Sequence, residues 1–160
     1  MKELFSEQEW DLLQKTPAIV LSMVAAADGK VDNKELNAFS NFCSNKNVFR
    51  SDLIKIVLPN DSKKYIDDVL PKIDKSKIKD TLREIDLTLD MKVNPVESKA
   101  FKHHLIALGV YIANSSGKMF QHNISEEEDE AINKFAKYID IDAAQLFKTT
   151  LVDEILQKVE

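Results

Sequence analysis

Apolar residues recur three and four positions apart along most of the chain, which is the spacing of one face of an α-helix. Proline, glycine and helix-capping residues divide this pattern into successive segments. The predicted helices cover residues 6–15, 17–28, 32–46, 52–58, 62–70, a stretch between 76 and 95, residues 96–115, a helix from 125 and a last one from 142. No β-hairpin signal occurs, so the pattern predicts an all-α fold, a bundle of about seven to nine helices.

Pro17 decides whether the first two segments are separate helices. Ser6 and Glu9 have the spacing of a capping box, which predicts the start of the first helix. Proline lacks an N–H group and is well tolerated in the first turn of a helix. The sequence therefore predicts that the first helix ends near Lys15 and that a new, mostly buried helix begins at Pro17 and ends at Gly29.

An internal repeat relates residues 17–46 to residues 96–140. Each copy has an apolar helix, Gly-Lys, a β-branched residue, a capping residue, a glutamate three positions later and renewed apolar spacing. The equivalent pairs are Gly29 and Gly117, Val31 and Ile124, Asp32 and Ser125, Glu35 and Glu128, Phe39 and Ile132, and Phe42 and Phe135. The second junction carries Ser116 in place of Asp28 and five extra residues, 119–123. We therefore expect one domain, residues 1–160, built from two related helical hairpins.

The first junction of the repeat has two interpretations. Asp32 and Glu35 form a predicted capping box, which stabilises a helix by about 0.5–2 kcal/mol without any ligand. Asp28, in contrast, places a carboxylate at the negative end of the preceding helix, at a cost of roughly 0.3–1 kcal/mol when exposed. A cation held between Asp28 and the next helix start would remove that cost. The segment is not an EF-hand, because Val24 and Ala26 stand where that loop needs oxygen ligands.

The charge of the chain narrows the classes of partner. Its 160 residues carry a formal net charge of −5 and only two arginines, Arg50 and Arg83, which argues against nucleic-acid binding. The longest purely apolar run is far too short to span a membrane. No export leader opens the sequence, and a single cysteine cannot form an internal disulfide. These features predict a cytoplasmic protein that neither binds nucleic acid nor spans a membrane.

Histidine and cysteine offer few sites for catalysis or zinc binding. His103 and His104 are adjacent and point about 100° apart on a helix, so they do not share a metal ion. Cys43 lies on the apolar face of its helix, which favours a buried, inert thiol over a nucleophile. The chain has no glycine-rich phosphate loop, nucleophile elbow or HExxH motif. The sequence therefore does not predict an enzyme.

A second candidate surface surrounds the second junction. Glu126 and Glu127 belong to an acidic run at a helix start, which is typical either of a solvated end that complements the helix dipole or of a docking surface. Met119 and Phe120 lie in the preceding link, where exposure would make them the apolar centre of a partner-binding patch. These four residues form the predicted protein-binding surface.

The two junctions also carry a family resemblance. The segment Ala26-Ala27-Asp28-Gly29-Lys30-Val31-Asp32 through Glu35, with its partial recurrence from Gly117 to Glu128, resembles the tellurite-resistance TerB-like family. Related domains also occur at the N-terminus of a membrane-anchored DnaJ-like co-chaperone. The resemblance implies an all-helical, non-enzymatic cytoplasmic domain linked to stress response and to metal ions. Ser116 replaces the aspartate that the family pattern has before Gly117, and Ser125 stands where a second capping carboxylate would fit.

Carried over position by position, the resemblance implies a metal site made of Asp28, Asp32, Glu35 and Glu128. Carboxylates suit the hard cations Ca²⁺ and Mg²⁺ better than Zn²⁺. The first hypothesis is therefore a TerB-like interaction module with a weak divalent-cation site at the junctions. The second is a metal-independent adaptor that binds a protein through residues 119–123 and the acidic helix start. A third, a metal-dependent hydrolase, requires the carboxylates to converge on an open cleft.

Overall fold

The computed structural model describes residues 1–25, 31–115, 126–142 and 150–159. Within these ranges the chain forms eight α-helices, and no residue is in a β-strand. The helices are α1 (Glu7–Ala25), α2 (Asn33–Ser44), α3 (Asp52–Val57), α4 (Ser62–Val69), α5 (Ile78–Lys92), α6 (Pro95–Ser115), α7 (Glu126–Tyr138) and α8 (Thr150–Val159). Short 3₁₀ segments lie at Lys2–Leu4, Lys46–Val48, Leu70–Lys72 and Lys75–Lys77. The predicted all-α bundle is confirmed.

Helix α6 is the centre of the bundle. Its residues 101–110 are all buried, so it is enclosed on every side rather than along one stripe. It packs most extensively on α1 and α2, and it also contacts α3, α7 and α8. Gly109 lies where α6 passes α1, because a Cβ at this position would lie 3.4 Å from the side chains of Val20 and Val24. The hydrophobic core therefore surrounds α6.

The two halves of the repeat pack by exchanging their second helices. Helix α2 of the first half packs on α6, whereas α7 of the second half packs on α1. Residues 21–25 and 109–113 show the same order of buried and half-buried positions, and residues 33–45 match residues 126–138 in the same way. Helices α1 and α6 also begin at equivalent positions, Glu7 and Pro95. The repeat therefore extends further towards the N-terminus of each half than the sequence motif does.

The predicted helix break before Pro17 is wrong, because α1 continues through Pro17 from Glu7 to Ala25. A proline inside a helix leaves the carbonyl four residues earlier without its N–H donor. Here the hydroxyl of Thr16 donates to the carbonyl of Leu13 at 2.7 Å and replaces that donor. Both residues are fully buried, so water could not supply the hydrogen bond that this carbonyl lacks, and the hydroxyl supplies it instead.

Tyr65 of α4 bridges the next backbone hydrogen bond of α1. Its hydroxyl accepts from the N–H of Ala18 at 3.1 Å and donates to the carbonyl of Gln14 at 2.6 Å. These two groups would bond directly in an uninterrupted helix. Burial raises the pKa of the Tyr65 hydroxyl, so it stays protonated and serves as donor and acceptor at once. The side chain of a residue 47 positions away from Ala18 thereby allows α1 to continue through Pro17.

The helix starts follow the predicted capping pattern where the structure describes them. Ser6 and Glu9 form the expected reciprocal pair, with distances of 2.8 and 3.1 Å. The hydroxyl of Ser51 accepts the N–H of Ile54 at 3.0 Å at the start of α3. The predicted helix end at Gly29 and the start at Ser125 lie outside the described residues, and so does the segment 143–149 that follows Asp142. None of the described helices has the length and apolarity needed to cross a lipid bilayer.

Candidate functional site

The first repeat junction ends in the predicted capping box. Oδ1 of Asp32 accepts the N–H of Glu35 at 2.8 Å, and Oε1 of Glu35 accepts the N–H of Asp32 at 3.0 Å. Asp32 is exposed, whereas Glu35 is 0% exposed. A carboxyl group is therefore held inside the protein at the start of α2. The capping interpretation of both residues is confirmed.

The second junction repeats this burial. Glu128 is 2% exposed at the third position of α7, which is equivalent to the position of Glu35 in α2. Its neighbours Glu126 and Glu127 are exposed. Burial of a carboxyl group is costly unless the protein supplies compensating interactions. Two buried glutamates at equivalent positions therefore show that the halves share polar chemistry as well as packing.

Part of each predicted site lies outside the described residues. This applies to Asp28 of the cation site and to Met119 and Phe120 of the protein-binding surface. In the ranges that the structure describes, no three His, Cys, Asp or Glu side chains form a group that could hold a metal ion. Asp32, Glu35 and Glu128 are thus not a metal site by themselves, and the four-residue site stays a prediction that depends on Asp28.

Two surface clefts lie at equivalent places in the two halves. Each is lined by the first helix of its half, α1 or α6, and by the segment that follows the second helix, α2 or α7. One, here called the lysine groove, is defined by Asp11, Lys15, Lys46, Lys55, Ile56 and Lys72 and has a volume of about 700 Å³. The other, here called the mixed-charge cleft, is defined by Asp90, Ser98, Lys102, His103, Asp140 and Asp142 and has about 450 Å³. Cavities of this size are typical of ligand sites.

The lysine groove combines a cationic rim with an apolar floor. Lys15 and Lys55 pair with aspartates of their own helices, Asp11 at 3.0 Å and Asp52 at 3.7 Å. The floor comes mainly from the end of α3 and the residues after it, where Ile56 is 46% exposed. A single exposed aliphatic side chain is ordinary, but Ile56 lies in a cleft that four lysines also line, so the cleft is amphipathic.

Lys46 is the most firmly positioned cation of the lysine groove. Its ammonium donates to the carbonyl of Leu58 at 3.1 Å and to the side-chain oxygen of Asn60. Both acceptors are neutral, and Lys46 forms no ion pair with a described carboxylate. An ammonium has three N–H donors, so one donor and the whole positive charge remain for a ligand.

The mixed-charge cleft is organised around a buried ion pair. Lys102 of α6 is 5% exposed and pairs with Asp86 of α5, while Asp90 lies 3.9 Å away on the same helix. Asp140 and Asp142 line the other side of the cleft. Asp140 has a φ of 62°, a left-handed conformation in which Asp is among the better tolerated residues. Carboxylates outnumber ammonium groups here, the reverse of the lysine groove.

Two buried histidines follow the lysine on α6. Nδ1 of His103 donates to the carbonyl of Lys99 and Nδ1 of His104 donates to that of Ala100, both at 2.7 Å. Burial lowers the pKa of both imidazoles, and that of His104 falls to about 4. Both rings are therefore neutral at pH 7. His103 lines the cleft, whereas His104 is 0% exposed and packs on Phe49 with ring centroids 5.0 Å apart.

Cys43 is 3% exposed, which confirms the prediction that its thiol is buried. Burial raises the pKa of the thiol to about 12. A thiol with this pKa is protonated at neutral pH and is a poor nucleophile. Its position in the core between helices, rather than in either cleft, agrees with a packing role.

Comparison with known proteins adds no relative. No family model, curated protein or solved structure matches the chain. The TerB-like resemblance is therefore confined to the residues of the two junctions.

Sequence reasoning missed both clefts. The lysines of the lysine groove lie far apart in the chain, at 15, 46, 55 and 72, and only the packing of α1, α3 and the 3₁₀ segments after α2 and α4 brings them together. The ion pair of Lys102 likewise joins two helices. One signal was present in the sequence: a charged residue, Lys102, interrupts the apolar stretch of α6. A lysine among buried positions calls for a carboxylate partner.

Proposed function

We propose that the protein is a non-enzymatic, TerB-like interaction module whose two repeat junctions together carry a weak divalent-cation site. The ligands would be Asp28, Asp32, Glu35 and Glu128, and the ion would be Ca²⁺ or Mg²⁺, because both prefer carboxylate oxygens. The role of the ion would be to connect the two halves of the repeat and so to set the shape of the surface that partners meet.

The observation that carries this proposal is the burial of equivalent glutamates at the two helix starts. Glu35 is 0% exposed and Glu128 is 2% exposed. A glutamate buried at a junction is costly in an isolated hairpin. The presence of this glutamate in both halves supports a shared polar role, and a divalent cation can bind several carboxylates at once.

Calorimetric titration of the metal-free protein with Ca²⁺ and with Mg²⁺ tests the cation site. We expect saturable heat with a dissociation constant on the order of 10⁻⁴–10⁻³ M. Asp28→Asn should abolish the heat and Glu128→Gln should weaken binding. Asp61→Asn is the matched control, because Asp61 caps α4 through a 3.1 Å bond from the N–H of Lys64 but does not belong to a repeat junction. Absence of heat in the wild type, or unchanged heat in Asp28→Asn, would overturn the cation site.

A metal-independent adaptor is the second candidate, and the exposure of Glu126 and Glu127 at the start of α7 favours it. In this case the acidic helix start and the link with Met119 and Phe120 would bind a protein partner directly. Affinity purification with wild type and with Phe120→Ser tests this surface. A partner retained equally by both proteins would rule out the surface, whereas a partner lost only with the variant and unaffected by chelation of metal would favour it over the cation site.

A further inference from the structure

The lysine groove opposes the overall charge of the protein. The chain carries a formal net charge of −5, yet four lysines and one aspartate line this groove. A cleft lined by one sign of charge focuses the field and attracts ligands of the opposite sign. The lysine groove is therefore a favoured place for anionic groups to approach this acidic molecule.

Two of these lysines have no carboxylate partner among the described residues. Lys46 is held by the neutral oxygens of Leu58 and Asn60, and Lys72 is exposed without an ion pair. The pairs of Lys15 and Lys55 are local contacts within one helix, and such exposed pairs contribute only about 0.3–0.5 kcal/mol. Carboxylates of a ligand can therefore pair with these ammonium groups at little cost to the protein.

The floor of the lysine groove indicates which anions fit. Ile56 is 46% exposed within it, and the half-buried Pro59 and Val69 also line it, whereas Val57 and Leu58 are almost fully buried. A small inorganic anion would use the rim and leave this floor in water. A peptide that carries carboxylates beside aliphatic or aromatic side chains would use both, since apolar burial adds roughly 25 cal/mol for each Å² removed from water.

We propose that the lysine groove binds an acidic peptide segment of a partner protein, with leucine or phenylalanine side chains on the floor formed around Ile56 and carboxylates at Lys46 and Lys72. This inference rests on the proposed role as an interaction module, but it uses a surface distinct from the repeat junctions. The mixed-charge cleft at the equivalent place in the second half would bind the same peptide less well, because Asp90, Asp140 and Asp142 line it beside only two lysines. The repeat thus provides two similar clefts, of which the lysine groove is the better site for an acidic segment.

Binding is measured by fluorescence anisotropy with three labelled synthetic peptides of equal length. The first alternates glutamate and leucine at helical spacing, the second has lysine in place of glutamate, and the third has serine in place of leucine. We expect the first peptide to bind at least about tenfold more tightly than the other two, because only it satisfies both rim and floor. Its affinity should fall as salt is raised from 50 to 300 mM, since the rim contacts are exposed charges.

Matched variants locate the site. Lys72→Glu and Ile56→Ser should each weaken binding of the first peptide by about tenfold or more, whereas Lys134→Glu and Leu87→Ser should not. The two controls make the same chemical changes at exposed positions of α7 and α5 outside the lysine groove. Thermal unfolding of each variant, followed by circular dichroism, verifies that it is folded. In ¹⁵N–¹H spectra the amides of residues 46, 55, 56 and 72 should shift, and those of 140–142 should not.

Three results would overturn the proposal: no binding of the glutamate–leucine peptide at millimolar concentration, equal binding of the lysine peptide, or equal loss of affinity in the control variants. Preferential binding to phosphatidylserine vesicles, lost in Lys72→Glu, would also overturn it in favour of a lipid surface. The cation titration is independent of these outcomes. The calorimetry contains no peptide and the anisotropy contains no added divalent cation, so failure of the cation site and failure of the peptide groove are distinguishable.

Discussion

Helices α1 and α6 occupy equivalent places in the two halves, yet their surroundings differ at one turn. Gln14 of α1 is exposed and Lys15 is half-buried at the edge of the lysine groove, whereas the equivalent residues of α6, Lys102 and His103, are 5% and 2% exposed. Helix α5 supplies Asp86 to cover this turn of α6. At the same turn of α1, α4 supplies only a tyrosine hydroxyl.

This difference shows which structural features the two halves of the repeat share and which they do not. The helix starts, the core-facing positions and the buried glutamate of each second helix are common to both halves. The residues that face the clefts are not, because they contact α3, α4 and α5, which belong to neither copy of the repeat. One scaffold thus carries a cationic groove on one side and a mixed-charge cleft on the other.

The largest expected effect comes from breaking the ion pair that covers α6. Asp86→Ala should lower the free energy of unfolding by about 3–5 kcal/mol, because the ammonium of Lys102 would remain buried without its close partner. Gln14→Ala, at the position of α1 equivalent to Lys102, should change it by less than about 0.5 kcal/mol. Urea denaturation measures both. The double variant Asp86→Leu with Lys102→Met should recover most of the loss, and a small effect of Asp86→Ala would contradict the comparison.

An intermediate effect on stability is expected from the titration of His104. Its equivalent in α1 is Thr16, which does not titrate. The folded pKa of His104 is about 4, below the ordinary value of about 6.5. Between these pH values the unfolded chain binds a proton that the folded protein does not, so stability falls as the pH is lowered, by up to about 3 kcal/mol. The lowered pKa of His103 acts in the same direction.

His104→Gln should flatten this pH dependence, as measured by urea denaturation at several pH values from 7 to 4. The slope is compared rather than the stability at one pH, because the substitution also changes packing against Phe49. An unchanged slope would show that His104 does not carry the effect. His103→Gln is the matched control and should retain the part of the pH dependence that comes from His104.

The smallest expected effect concerns the proline of α1, whose equivalent in α6 is Leu105. Tyr65→Phe should cost about 1–3 kcal/mol, because the carbonyl of Gln14 and the N–H of Ala18 lose the hydroxyl that joins them. In the Pro17→Ala background the cost should shrink, since the helix can then close directly. A double-mutant cycle by thermal or urea unfolding measures the coupling. Additive effects would show that Tyr65 does not serve the proline.

Local patterns predicted much of this fold because helix signals are short-range. The capping boxes at Ser6 and Asp32 and the cap at Ser51 depend on residues three positions apart, and all three are present. The break expected at Pro17 failed for the opposite reason. A distant tyrosine and a neighbouring threonine satisfy the groups that proline leaves without partners, and no local pattern contains Tyr65.

The sequence by itself determined the all-α class, the repeat and the burial of its second helices, since periodic apolar spacing requires a covered face wherever it occurs. The tertiary structure alone decided that the second helix of each half packs on the first helix of the other half. It also decided which charged side chains lie close together in space. Lys15, Lys46, Lys55 and Lys72 line one groove because α1, α3 and the 3₁₀ segments after α2 and α4 meet there. Electrostatic potential depends on distance in space and not on separation along the chain. Charges that are scattered in the sequence thus acquire a common role only after folding.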